Sequence, residues 1–153
     1  MIAMLAFGNA GAQPAGEDDH IRWQFSSLRQ SDSVWKLLFT AVIDPGWHLY
    51  SQSTPRGGPM PVVFEFSKAG GFRLVGSVRE VGMMKKGFDE VFMVDVKWYE
   101  GNVVFTQEVK VSGGGGKNGR GGKGKVTGEI SYSVCSGEMC MPGNVRFSLD
   151  VGD

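Results

Sequence analysis

The chain has 153 residues, 41% of them hydrophobic, with 10 Phe and 4 Trp; this is enough apolar material for one domain with a buried core and excludes a disordered chain. Sixteen basic residues balance sixteen acidic ones, so no overall field recruits nucleic acid or an anionic membrane. The compositional excess is glycine, 24 residues, many of them in one stretch.

Met1 to Phe7 is a short apolar run, followed by an Ala-x-Ala pattern at Ala10 and Ala12. That order predicts an exported chain, with residues 1–19 as leader remnant and polar linker and residues 20–153 as the folded domain. The run is too short to span a bilayer. Export places the chain in the periplasm or another oxidising compartment, where two cysteines can pair.

Ile21, Trp23 and Phe25 alternate with Arg22, Gln24 and Ser26, the period of a half-buried strand. Trp35, Leu37, Phe39, Ala41 and Ile43 share one face of a second strand, Val34 to Ile43, and Leu38 and Val42 on the other face predict a central position. Asp44-Pro45-Gly46 is a turn, because Pro presets its φ and Gly accepts a positive φ next to it. Trp47 to Tyr50 reads as a short aromatic strand, Ser51 to Pro59 as a loop, and Val62 to Phe66 as a strand opened by Pro61. Phe72, Leu74, Gly76 and Val78 alternate again.

Arg79 to Glu90 holds Met83, Met84, Lys85, Lys86 and Phe88 with no clear period, and is expected to be a loop long enough for a function. Val91 to Trp98 and Val103 to Val111 are expected to pair as a hairpin around Glu100-Gly101-Asn102. Two further strands, Gly128 to Val134 and Val145 to Val151, flank the two cysteines. No segment carries a helical apolar stripe, so eight or nine short strands predict an all-β antiparallel sandwich.

Gly119 to Lys125 matches the spacing of a phosphate-binding loop, but Val126 stands where Ser or Thr would hold magnesium, and no helix follows. The Gly113 to Lys125 run is therefore expected to be a mobile inter-strand loop. His20 and His48 lie far apart and show no zinc-ligand spacing with the cysteines. Cys135, Met139, Cys140 and Met141 together offer soft ligands for Cu(I), against the plainer expectation that the methionines pack. Asp89 and Glu90, adjacent on the chain, are expected to be solvated loop charges.

Cys135 and Cys140 are separated by four residues, at the tip of the hairpin their flanking strands would form. A disulfide there closes six residues and contributes only about 2 kcal/mol as a staple. A loop tip also lets a partner thiolate approach along the S–S axis, as exchange requires. Spacing alone leaves a structural bond and a redox pair equally open.

The stretch Gly46-Trp47-His48-Leu49-Tyr50-Ser51, with Tyr132-Ser133-Val134-Cys135, four residues, then Cys140-Met141-Pro142, resembles the N-terminal periplasmic domain family of thiol:disulfide interchange protein DsbD. The resemblance runs from about Trp23 to Val151 and includes the expected hairpin between Val91 and Val109. It implies an immunoglobulin-like sandwich whose cysteines shuttle electrons, with no cofactor, between thioredoxin-like donors and acceptors. It further implies that Cys140 forms the mixed disulfide, that Cys135 resolves it, that His48 and Tyr50 shape the site, and that an aromatic cap shields it. Phe88, Met83 or Met84 stands in the cap region. The family's best-known members have five residues between the cysteines, so the hairpin tip differs. No thioredoxin-like domain follows, so the electron donor is expected in trans. Lys85 or Lys86 would favour a thiolate, while Glu138 between the cysteines would oppose it. The competing class is an immunoglobulin-like binding module with an inert disulfide.

Overall fold

The computed structural model describes residues 20–67, 71–111 and 124–152; the expected leader and most of the Gly/Lys run lie outside them. Among the described residues the regular structure is ten strands: β1 (Ile21–Arg29), β2 (Val34–Ile43), β3 (His48–Tyr50), β4 (Val63–Phe66), β5 (Phe72–Val81), β6 (Lys85–Asp89), β7 (Val94–Tyr99), β8 (Asn102–Val111), β9 (Gly124–Cys135) and β10 (Cys140–Val151). They form two antiparallel sheets. The first runs β1-β2-β8-β5, and the second β10-β9-β3-β7-β6, with β4 joined to β9 beside β3.

The apolar alternation read from the sequence becomes the core between the sheets. Ile21, Trp23, Phe25, Leu37, Phe39, Ala41, Val103, Phe105 and Val109 face inward from the first sheet, and Leu49, Tyr99, Ile130, Tyr132, Val134, Val145, Phe147 and Leu149 from the second. Phe39 sits among the rings of Phe25, Phe64, Phe66 and Phe147, with centroids 4.7 to 6.3 Å away. β2 lies between β1 and β8, the central position expected for it, and its outer face, with Leu38 and Val42, is half-buried. The turn at Gly46 (φ 83°) is closed by Trp47 N–H donating to the Asp44 carbonyl at 3.1 Å.

Two expectations are corrected. Val94–Tyr99 and Asn102–Val111 do not form a hairpin: they lie in different sheets, and the chain crosses between them at Gly101 (φ 74°). The Gly101 carbonyl instead accepts from Ile43 N–H at 2.8 Å. A Gly-Asn turn suits a tight hairpin and a change of sheet alike. Nor is Arg79 to Glu90 a loop. Its first residues complete β5 and Lys85–Asp89 form β6, leaving Gly82 to Met84 as the connection. Both are strands at sheet ends, exposed along much of their length, and such strands need no apolar alternation.

β5 also carries a bulge between Val75 and Arg79. The buried Gln107 side chain fills it, its Nε2 donating to the carbonyls of Val75 and Gly76 at 3.1 and 3.2 Å. A second polar tie links the sheets. The Glu80 carboxylate of β5 accepts from Ser51 Oγ (2.6 and 2.9 Å), Gln52 N–H (2.9 Å) and the Tyr99 hydroxyl (3.2 Å). Burial, with the Glu80 charge and hydrogen bond, pushes the Tyr99 phenol up to about 12.

Candidate functional site

The last hairpin sets the position of the cysteines. β9 and β10 pair in continuous register from Val151↔Gly124 to Cys140↔Cys135, so the cysteines face each other on the final rung. Their Cα atoms are 4.0 Å apart and the sulfurs are bonded. The turn between them closes by its own bonds: Ser136 N–H donates to the Met139 carbonyl at 2.7 Å, and Ser136 Oγ accepts from the N–H groups of Glu138 and Met139 at 3.2 and 3.3 Å.

Strand alternation decides what shares the site. Even-numbered residues of β9, such as Ile130, Tyr132 and Val134, enter the core, whereas Ser133 and Cys135 turn to the outer face of the second sheet. There a separate apolar cluster forms from Tyr50, Val96 and Cys135, with Val94 and Trp98 packed on it. The two sulfurs are not equivalent: Cys135 is 1% exposed, and Cys140 is exposed. Ser133 Oγ lies 3.7 Å from Cys135 Sγ.

His48 is the direct ladder neighbour of Cys135. Its Nε2 is 3.0 Å from the Tyr50 hydroxyl, and the two rings meet edge to face at 5.0 Å. The Trp98 ring lies 6.3 Å from His48 and stands over Gly87 of β6. Burial lowers the His48 pKa, with Glu100 and Asp89 acting in the opposite direction. Burial, reinforced by Asp89, raises that of Tyr50. A hydrogen bond from Lys85 holds the Glu100 carboxyl below its ordinary range against a contribution from burial, and the Lys85 charge, the Trp98 N–H and His48 add to the lowering. On the disulfide's face of the sheet, then, lie a neutral imidazole and a protonated phenol on the adjacent strand and, beyond them, an ion pair.

The remaining expected residues fall elsewhere. Lys85 is on the site face, but it pairs with Glu100. Lys86 and Phe88 point to the opposite face of β6 from Gly87, so Phe88, 56% exposed, does not cover the sulfurs. Met83 and Met84 lie in the connection before β6 and are exposed. Asp89 is no free loop charge: its Oδ1 accepts from Val91 and Phe92 N–H at 2.8 and 3.0 Å, shaping a hairpin tip in which Met93 adopts φ 57°. Glu138 is exposed in the turn. The soft-ligand set for copper does not converge, because Met141 packs on the core, one residue and one face away from Cys140. His20 stacks on Trp47 at 3.8 Å near Asp44, remote on the chain from the cysteine rung.

Sequence reasoning missed Trp98 and Ser133 as site residues. The available signal was positional for Ser133, which is two residues before Cys135 on one strand and so shares its face.

No curated protein matches the chain in sequence. Among solved structures, the N-terminal periplasmic domain of ScsB from Proteus mirabilis superposes with a TM-score of 0.59 at 20% identity, over 94% of this chain and 50% of that one. The chain thus spans about half the length of that structure. The reduced N-terminal domain of DsbD from Neisseria meningitidis gives a TM-score of 0.50 at 16% identity, over 84% of this chain and 86% of that one. These likenesses are of fold. The family model described as the N-terminal region of thiol:disulfide interchange protein DsbD, in contrast, matches residues 15–151, from ahead of β1 to the end of β10. With a sandwich that presents a cysteine pair beside an aromatic strand, the chain belongs to the DsbD N-terminal domain family.

Proposed function

We propose that the domain, residues 20–153, carries out thiol–disulfide exchange through Cys140 and Cys135 with thioredoxin-like proteins of an oxidising compartment such as the periplasm. The observation that carries this reading is the asymmetry of the pair, an exposed Cys140 bonded to a buried Cys135 on an open sheet face. Exchange needs an attacking thiolate in line with the S–S bond, and only the exposed sulfur admits one. In the reduced domain, Cys140 attacks a partner's disulfide and forms a mixed disulfide. Cys135 then attacks Cys140 Sγ, the partner leaves with both its sulfurs reduced, and the domain is left oxidised as seen here. Reduction by a donor runs the same steps in reverse. His48 and Tyr50 hold the wall beside Cys135.

The reduction potential tests this. A working couple equilibrates with glutathione buffers, whereas a potential below about −300 mV marks a structural bond. The latter result would favour an immunoglobulin-like binding module instead.

A further inference from the structure

Whichever way electrons pass, the buried sulfur must carry charge. Cys135 departs as a thiolate when Cys140 is attacked, and attacks as a thiolate when the mixed disulfide is resolved. At 1% exposure it does so away from bulk water, where an unpartnered anion is costly. The groups around it supply no net positive charge. Across the ladder on β3 stands His48, kept neutral by burial, and Tyr50, kept protonated by it. Just past the end of β7, Glu100 is ion-paired with Lys85 of β6, and Asp89 ends β6 with a carboxylate. β10 brings Cys140, and the turn brings Glu138.

What faces the sulfur instead is a neutral dipole. Ser133 shares the outer face of β9 with Cys135, is 6% exposed, and places Oγ 3.7 Å from Sγ. A disulfide sulfur has no proton to give, so the hydroxyl is the donor. Resting on the exchange chemistry proposed above, we infer that Ser133 is a catalytic residue, whose hydroxyl stabilises the Cys135 thiolate by hydrogen bonding as it leaves and as it attacks. In resolution the new bond is Cys135 Sγ–Cys140 Sγ, and the bond broken is Cys140 Sγ–partner S. The electron pair departs on the partner's sulfur, which recovers through solvent the proton that Cys135 gave up. The domain is oxidised by two electrons and the partner's disulfide is reduced.

The inference is tested without a partner protein. In Cys140→Ala protein Cys135 is the sole thiol, and its thiolate absorbance can be titrated directly. Adding Ser133→Ala should move the midpoint up by about one pH unit, the worth of one hydrogen bond to a charged group. Ser133→Thr, which keeps the hydroxyl, should leave it near the parent value. With both cysteines present, Ellman's reagent loads Cys140 and Cys135 then releases the second thionitrobenzoate. Below the midpoint, Ser133→Ala should slow that release about threefold, because about tenfold less thiolate is partly offset by its greater nucleophilicity. An unmoved midpoint in Ser133→Ala overturns the inference, as does an equal shift in the Ala and Thr variants, which would assign the effect to packing. Because no partner enters, the titration decides the role of Ser133 even if the reduction potential places the disulfide among structural bonds.

Discussion

Reducing the disulfide should leave the sandwich folded and cost it little. The bond closes a loop of six residues, Cys135 to Cys140, for which unfolded-chain entropy sets a contribution of about 2 kcal/mol. The folded state holds the same geometry by other means. The β9–β10 register continues to the cysteine rung, and the turn beyond is closed by Ser136 through both its backbone N–H and its hydroxyl. The reduced hairpin therefore keeps its form, and the loss should not exceed about 2 kcal/mol. By linkage, the folded protein's disulfide is then at most about 50 mV harder to reduce than the same bond in the unfolded chain. Paired urea or guanidinium unfolding curves, with and without a phosphine reductant, read this directly. Similar slopes with a small shift in midpoint are expected. A loss of about 3 to 5 kcal/mol, or unfolding on reduction, would refute the reasoning and make the bond a staple.

Three further outcomes are expected. Glu138→Gln should shift the pH profile of Cys140 alkylation by iodoacetamide to lower pH, since a neighbouring carboxylate opposes a thiolate; an unchanged profile would remove Glu138 from the site. Burial lowers the His48 pKa, so as pH falls the unfolded chain takes the proton first. The stability tied to neutral His48 is complete above its ordinary value of 6.5 and is lost as pH falls through the folded-state value. His48→Gln should flatten the unfolding free energy between about pH 7.5 and about pH 5, and parallel profiles for parent and variant would contradict the burial argument. At Gly128 a Cβ would stand 2.2 Å from the Glu65 carbonyl oxygen and 2.6 Å from Phe147 Cζ, whereas at Gly87 it would meet only the Trp98 ring, at 3.1 Å. Gly128→Ala should thus cost about 3 kcal/mol and Gly87→Ala about 1 kcal/mol, the latter with altered Trp fluorescence. Equal costs in chemical denaturation would show that the β4–β9 contact is looser than described.

Strands that bury one face were legible in the sequence. Ile21, Trp23 and Phe25, and then Leu37, Phe39 and Ala41, wrote their alternation plainly because water and core select opposite residue types. The alternation at Phe72 to Val78 marked most of β5, but its end at Arg79 to Val81 and the whole of β6 were not legible, since these residues are largely exposed and nothing forces a period of two. The Gly101 crossing was read as a hairpin because its turn residues fit either path. At the site, the cysteine rung and the His48–Tyr50 strand were found, but the outer-face cluster was not. Val94, Val96 and Trp98 alternate with Asp95 and Lys97 as a core-facing strand would, yet their face is the outer one, and it is Tyr99 on the other face that enters the core. Phe88 was drawn into the cap by its aromatic ring and position, and ladder parity turns it away.

Trapping tests the central claim most directly. Cys135→Ala removes the resolving sulfur and leaves the exposed Cys140, so a mixed disulfide with a partner that itself lacks a second active-site cysteine is not resolved. Offered a thioredoxin-fold protein whose second active-site cysteine is replaced and whose first is activated as a thionitrobenzoate mixed disulfide, this variant should release thionitrobenzoate and accumulate a one-to-one adduct that dissolves on reduction, whereas Cys140→Ala should accumulate little, its remaining thiol being buried. Equal adduct yields from the two variants, or none from either, would contradict the account.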